Sequence, residues 1–194
     1  MDILKFLHHI DKDVTLAINS CNSPVTDEIW KLFSDVQIWY VLYLAVAVFF
    51  FVRLGWKKAL AVLLSCILCV VLCDQFANVI KHSVCRLRPC QDADMLARGL
   101  HILEDAGSRF GFFSAHAANT AGFAICSLSG FRNDSSRSYK VYGTAIFAWA
   151  VLVSISRVFV GKHFFGDVVV GFAIGLLFGW LCALLARAVI RRLR

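Results

Sequence analysis

The sequence predicts an all-α protein: a polytopic membrane helical bundle of about five transmembrane helices, preceded by an N-terminal amphipathic helix. Three observations predict it. The 194 residues are 59% hydrophobic, with 17 Phe and only 2 Pro, a composition too apolar for a soluble domain of this size. Apolar runs long enough for hydrocarbon recur along the chain. The basic residues lie in short segments between those runs, so the net charge of +7 suits membrane orientation and anionic lipid rather than nucleic acid.

The first twenty residues do not read as a cleavable signal peptide, because Asp2, Asp11, Lys12 and Asp13 interrupt any apolar core. Ile3, Leu7, Ile10, Val14 and Ala17 recur at helical spacing, which predicts an amphipathic helix on the membrane surface (residues 1–20) or packed on the bundle. The first span runs from about Val36 to Val52, introduced by Trp30, Trp39, Tyr40 and Tyr43 as interfacial aromatics. The second runs from Ala59 to about Ile80, and its Cys66, Cys69 and Cys73 read as small hydrophobes. The third, about Phe112 to Leu128, is weak in hydropathy because it carries Ser114, His116, Asn119 and Thr120. It is still expected to cross, since an apolar helix follows and the topology otherwise splits the reactive groups between two faces. The fourth runs from Val141 to about Val160, and the fifth from Val168 to about Ile190 with no charge before Arg187.

Gly171, Gly175 and Gly179 give the fifth span a smooth face, expected to pack within the bundle rather than between copies. Cys85 and Cys90 flank a loop and could pair with each other or with Cys21 in an oxidising compartment. One domain, residues 1–194, is expected, with the chemistry-bearing motifs in residues 74–175. Arg53, Lys57, Lys58, Arg132, Arg137, Lys140, Arg187, Arg191, Arg192 and Arg194 fall on one side, where Asp134 is the sole acid. The positive-inside rule then puts the C-terminus in the cytoplasm and the N-terminus outside.

Three polar groups share the other predicted face. The second span ends Lys81-His-Ser-Val-Cys-Arg-Leu-Arg88-Pro89. Seven residues is nearly two helical turns, although Pro89 disfavours helix at Arg88 and opens the last turn into a loop. Asp74, Asn78 and Lys81 share a helix face, so the lysine has polar support in the bilayer. Ser114 and His116 open the third span, where a helix N-terminus offers unpaired N–H groups to an anion; taken singly, Ser114 reads as a cap and His116 as an interior histidine. The third group is Ser156-Arg157 through Lys162-His163 to Asp167. His163 and Asp167 are four apart, so the carboxylate can accept the imidazole Nδ1–H and leave Nε2 free to attack. Arg157 falls off that face of a straight helix, which predicts a break near Gly161. Charges at the edge of hydrocarbon cost roughly 2.5–3.5 kcal/mol each at a helix centre, so their clustering points to use.

In order, Lys-x6-Arg-Pro, Ser-x-His and Ser-Arg-x5-His-x3-Asp resemble the type 2 phosphatidic acid phosphatase family over about Asp74 to Gly175. One departure is visible: Phe113 and Ala115 stand where the family's middle motif usually has Pro and Gly. The resemblance implies a metal-independent lipid phosphatase with no cofactor. It implies His163 as nucleophile forming a phosphohistidine, Asp167 orienting it, and His116 as proton donor to the leaving oxygen and later base for water. It further implies Lys81, Arg88, Ser114 and Arg157 as phosphate ligands. The expected partners are the membrane and a phosphorylated membrane lipid, with no nucleic acid.

Residues 90–112, with Asp92, Asp94, Arg98, His101, Glu104, Asp105 and Arg109, are expected to form a lid over the headgroup, Arg109 touching substrate. Similar scaffolds handle undecaprenyl pyrophosphate, lipid A phosphates, phosphatidylglycerol phosphate and phosphatidate. The small size and single short lid lean towards the polyprenyl pyrophosphate. The expected location is the inner (cytoplasmic) membrane, with the active site extracytoplasmic. A lipid or ion transporter is the non-enzyme alternative, and a haloperoxidase is an enzymatic one that the spans disfavour.

Overall fold

A computed structural model describes residues 3–192; residues 1–2 of the expected surface helix and Arg194 of the basic tail lie outside them. Among the described residues eight α-helices follow one another: α1 (Ile3–Asn19), α2 (Pro24–Ser34), α3 (Tyr40–Leu54), α4 (Trp56–Val84), α5 (Ala93–Ala97), α6 (Ala115–Phe131), α7 (Lys140–Phe159) and α8 (Phe165–Arg192). Four segments are long and apolar enough to cross a membrane: Gln37–Leu54, containing α3, and helices α4, α7 and α8. Helix α4, with 29 residues, is about 43 Å long and outruns ~30 Å of hydrocarbon. Its last turn therefore lifts Lys81 towards the interface.

Helix α6 is the weak span of the sequence. It has 17 residues and packs chiefly on α8, with α4 and α7 around it. Its Ala, Ser and Thr side chains are mostly buried within protein, so lipid never tests their polarity. The glycine row makes this enclosure possible: a Cβ on Gly171, Gly175 or Gly179 would collide with the Ser114, Ala118 and Gly122 carbonyl oxygens of α6 and its cap. Gly122 in turn leaves room for Cys69 of α4. The same core continues between α3, α6 and α7, where Tyr43 meets Trp149 edge to face and Phe50 meets Phe131 at a tilt.

The ends of the spans differ from expectation by a few residues, for local reasons. Cys85, in the left-handed region at φ 53°, closes α4, and Arg88 is extended ahead of Pro89. Gly161, at φ 79°, makes the expected break between α7 and α8. Helix α2 was not foreseen, although Ser23 and Thr26 cap its start reciprocally and Pro24 stands at its first position. Helix α2 packs against α7, with Trp30 stacked on Phe159 at 4.1 Å. Helix α1 packs on α7 and α8, with Ile3, Phe6, Leu7 and Ile10 facing outwards. The disulfide left open in the sequence is not formed: Cys21, Cys85 and Cys90 are all free thiols.

Candidate active site

Four local hydrogen-bonding devices bring the motif residues to one end of the bundle. An antiparallel bridge between Leu87 and Phe110 ties the segment after α4 to the segment before α6; the Arg88 N–H donates to the Arg109 carbonyl (3.2 Å) and the Gly111 N–H to the Arg86 carbonyl (2.9 Å). Ser114 caps α6 by accepting the Ala117 N–H, and its own N–H donates to the Asp167 carbonyl (3.0 Å), which joins α6 to the start of α8. After α7 the chain folds back so that the Lys162 and His163 N–H groups both donate to the Arg157 carbonyl. Asn19, buried in α1, donates to the Val158 and Phe159 carbonyls and seals the end of α7.

These devices surround a cavity of about 720 Å³ whose wall includes Lys81, Arg88, His116, Arg157 and His163. Arg88 Nη1 lies 3.5 Å from His163 Nε2, while its Nη2 donates to Ser108 (2.8 Å). Arg157 is buried and its Nη1 donates to Ser34 of α2; Glu104 stands 3.5 Å away and also meets Ser34. The rest of the cavity is largely apolar. Tyr40, Ile67 and Val71 line it while remaining 60%, 52% and 48% exposed, so it opens sideways to the membrane-facing surface of α3 and α4. Asp74 and Asn119 supply polar atoms deeper inside.

His163 and Asp167 are both buried, but their geometry differs from the helical pair expected. His163 lies ahead of α8 in the connecting turn, and its Nδ1 is 3.6 Å from Asp167 Oδ2, beyond a normal hydrogen bond. Asp167 Oδ2 accepts the Phe164 N–H at 3.1 Å, and Oδ1 accepts from Arg86 at 2.6 Å. Burial first, then the positive charges of Arg88, Arg157 and Lys81, hold the His163 imidazole well below its ordinary pKa. The ring is therefore neutral at neutral pH.

Two expected site residues stand apart. Ser114 is fully buried with its hydroxyl spent on the cap, so only the helix N-terminus behind it faces the cavity. Arg109 is exposed, 5.8 Å over the Phe110 ring and off the cavity wall. The lid charges mostly anchor the lid: Asp92 and Asp94 pair with Lys12, Arg98 with Asp13, and His101 with Asp27. Glu104 alone among them reaches a cation of the cavity wall. Three groups were not foreseen, namely Ser34, Glu104 as a partner of Arg157, and Arg86. Arg86 sits two residues before Arg88, and spacing alone does not separate their directions.

A bundle with its cations and imidazoles gathered at one end, above a lipid-facing cavity, has counterparts. A model of the PAP2 superfamily matches residues 38–191. The chain is 32% identical over 194 residues to a lipid A 4′-phosphatase of Bacteroides thetaiotaomicron, covering 99% of this chain and 84% of that protein. A lipid A 4′-phosphatase of Porphyromonas gingivalis is 28% identical over 177 residues, 91% of this chain and 72% of that one. A transmembrane PAP2-type phosphatidylglycerolphosphate phosphatase from Bacillus subtilis superposes with a TM-score of 0.72 at 20% identity, over 97% of this chain and 88% of that one. LpxE of Aquifex aeolicus superposes with a TM-score of 0.64 at 22% identity, over 88% and 92%. The chain belongs to the PAP2 superfamily. It is a multi-pass membrane lipid phosphatase, a hydrolase whose substrate is a phosphorylated lipid.

Proposed function

We propose that this phosphatase removes the 4′-phosphate of lipid A, working through a phosphohistidine on His163. One observation carries the chemistry: Arg88 and the neutral, buried His163 face each other across 3.5 Å on a cavity wall shared with Lys81, His116 and Arg157. Phosphoryl transfer asks chiefly for positioning and charge stabilisation, which such a cluster supplies. The His163 Nε2 lone pair attacks phosphorus as the ester P–O bond breaks, and His116 gives its proton to the departing lipid oxygen. Water then attacks the phosphohistidine, losing a proton to His116, and the P–N bond breaks to free phosphate and imidazole. Asp167 steadies the positive charge that His163 carries in between. Lys81, Arg88 and Arg157, with N–H groups at the start of α6, hold the phosphoryl oxygens.

The choice of lipid rests on the two bacterial relatives described above, both lipid A 4′-phosphatases and both matched over most of their length. Polyprenyl pyrophosphate, towards which the short lid leaned, is the competing outcome. The assay is phosphate release in detergent from lipid A, undecaprenyl pyrophosphate, phosphatidylglycerol phosphate and phosphatidate. Lipid A is expected to give the highest kcat/KM; a preference for the pyrophosphate overturns the substrate reading and leaves the chemistry intact. His163→Ala should abolish turnover in a protein that still inserts and folds, and near-wild-type rates in that variant refute the nucleophile. The basic end of the bundle, with Arg53, Lys57, Arg132 and Lys140, lies opposite the cavity, which supports an inner-membrane enzyme with its site outside the cytoplasm.

A further inference from the structure

We infer that Arg86 is a positioning residue for the reaction, and that Asp11 of the N-terminal helix holds it in place. The inference rests on His163 as nucleophile. Asp167 is 0% exposed, and its Oδ1 is bound by Arg86 Nη1 at 2.6 Å. The other amino nitrogen of Arg86 binds Asp11 Oδ2 at 2.6 Å and lies 3.1 Å from His8 Nδ1. The guanidinium rests over the Phe164 ring at 4.0 Å, so face and edge are both fixed. Asp11 Oδ1 accepts the Gly166 N–H (2.7 Å) and Thr15 Oγ1 the Phe165 N–H (3.0 Å), which pins the first turn of α8 to α1. Arg86 is not on the cavity wall and approaches Asp167 through the oxygen that does not face His163, so it does not touch phosphate.

Two consequences follow for the chemistry. Arg86 orients a carboxylate buried away from the surface, keeping Oδ2 towards the imidazole. It also offsets much of the carboxylate charge, so the His163 ring is not drawn into early protonation. The charged groups facing the His163–Asp167 pair are Arg86, with Asp11 and His8 behind it, and Arg88, Arg157, Lys81 and His116 across the cavity.

The test measures kcat, KM and the pH profile of kcat/KM for wild type, Arg86→Gln, Arg86→Lys, Asp11→Asn and His163→Ala. The substrates are lipid A and dioctanoyl phosphatidate in detergent micelles. Arg86→Gln should lower kcat about 100-fold and Asp11→Asn about 10-fold, as for other groups that orient a reacting residue. KM should stay within about threefold, because the phosphate ligands are intact. With the Asp167 charge no longer offset, the imidazole keeps its proton to higher pH, so the acid limb should rise by about one pH unit in Arg86→Gln. Arg86→Lys should recover part of kcat, since an ammonium keeps the positive charge beside Asp167 but lacks the planar fork that fixes both carboxylates and rests on the Phe164 ring. If Arg86→Gln does not fold, Arg86→Lys and Asp11→Asn carry the same comparison. Unchanged kcat, a loss confined to KM, or a rate loss with an unmoved acid limb overturns the inference. Turnover in His163→Ala instead overturns the underlying nucleophile reading, and the two failures are thereby told apart.

Discussion

At the scale of single residues, His163 combines burial with three nearby cations, and both disfavour its charged form. A depressed pKa means that the neutral base survives to lower pH. The acid limb of kcat/KM in the wild type is therefore expected below the ordinary imidazole value of about 6.5, in a profile measured from pH 4 to 8. An acid limb at or above that value would contradict the burial and charge described around the ring. The spacing of Lys81, Arg88, His116, Arg157 and His163 was legible in the sequence, because span ends sort residues by face. Ser114 shows the limit of that reasoning: a serine at a helix start serves the cap or the ligand, and burial decides for the cap. Arg86 was hidden for another reason. Its partner Asp11 is 75 residues away, and no local period connects them.

At the scale of elements, the contact between α6 and α8 is the tightest feature of the bundle. A methyl group on Gly175 meets the Ala118 carbonyl, which is backbone and cannot swing aside. Gly175→Ala should therefore lower stability by about 1–3 kcal/mol or force the helices apart. Thermal unfolding in detergent reads this directly, with Val189→Ala on the exposed face of α8 as the control expected to change little. An unchanged midpoint for Gly175→Ala would mean that the helices separate without cost. Four apolar runs were legible because hydropathy averages over many residues; α6, weak by that measure, was expected only from its polar start, the apolar stretch after it and the topology. The boundaries moved by a few positions, as at α8, which starts at Phe165 rather than Val168, because caps and turns end helices. Helix α2 was missed since its short amphipathic pattern is overshadowed by the aromatic cluster that follows, although its capping box was available as a signal.

At the scale of the whole molecule, the two ends of the bundle differ in kind. One end carries the cavity, α1, α2 and the lid, stapled together by ion pairs such as Lys12–Asp92 and Arg98–Asp13. The other end carries short basic turns, where Arg53 binds Asp134 (2.7 Å) beside Tyr139. Hydrogen bonds from Ser136 and Tyr139, together with Arg53, hold the Asp134 carboxyl well below the usual range, so this brace stays charged at any working pH. Impermeant thiol labelling of spheroplasts tests the proposed orientation. The exposed native Cys21 and Cys85 at the cavity end should react from outside. In a Cys21→Ala, Cys85→Ala background, Ser136→Cys should react only after permeabilisation, and the reverse pattern overturns the topology.

The sideways mouth between α3 and α4 has one more outcome for turnover. When the ester bond breaks, the two fragments leave by different exits: the greasy alcohol slides back among its neighbours, and inorganic phosphate diffuses into the bulk. Resynthesis would need both to meet again in one chamber, one arriving from oil and the other from dilute water. The direction itself comes from the free energy of hydrolysis in water; the separate exits only keep a product pair from rebinding together.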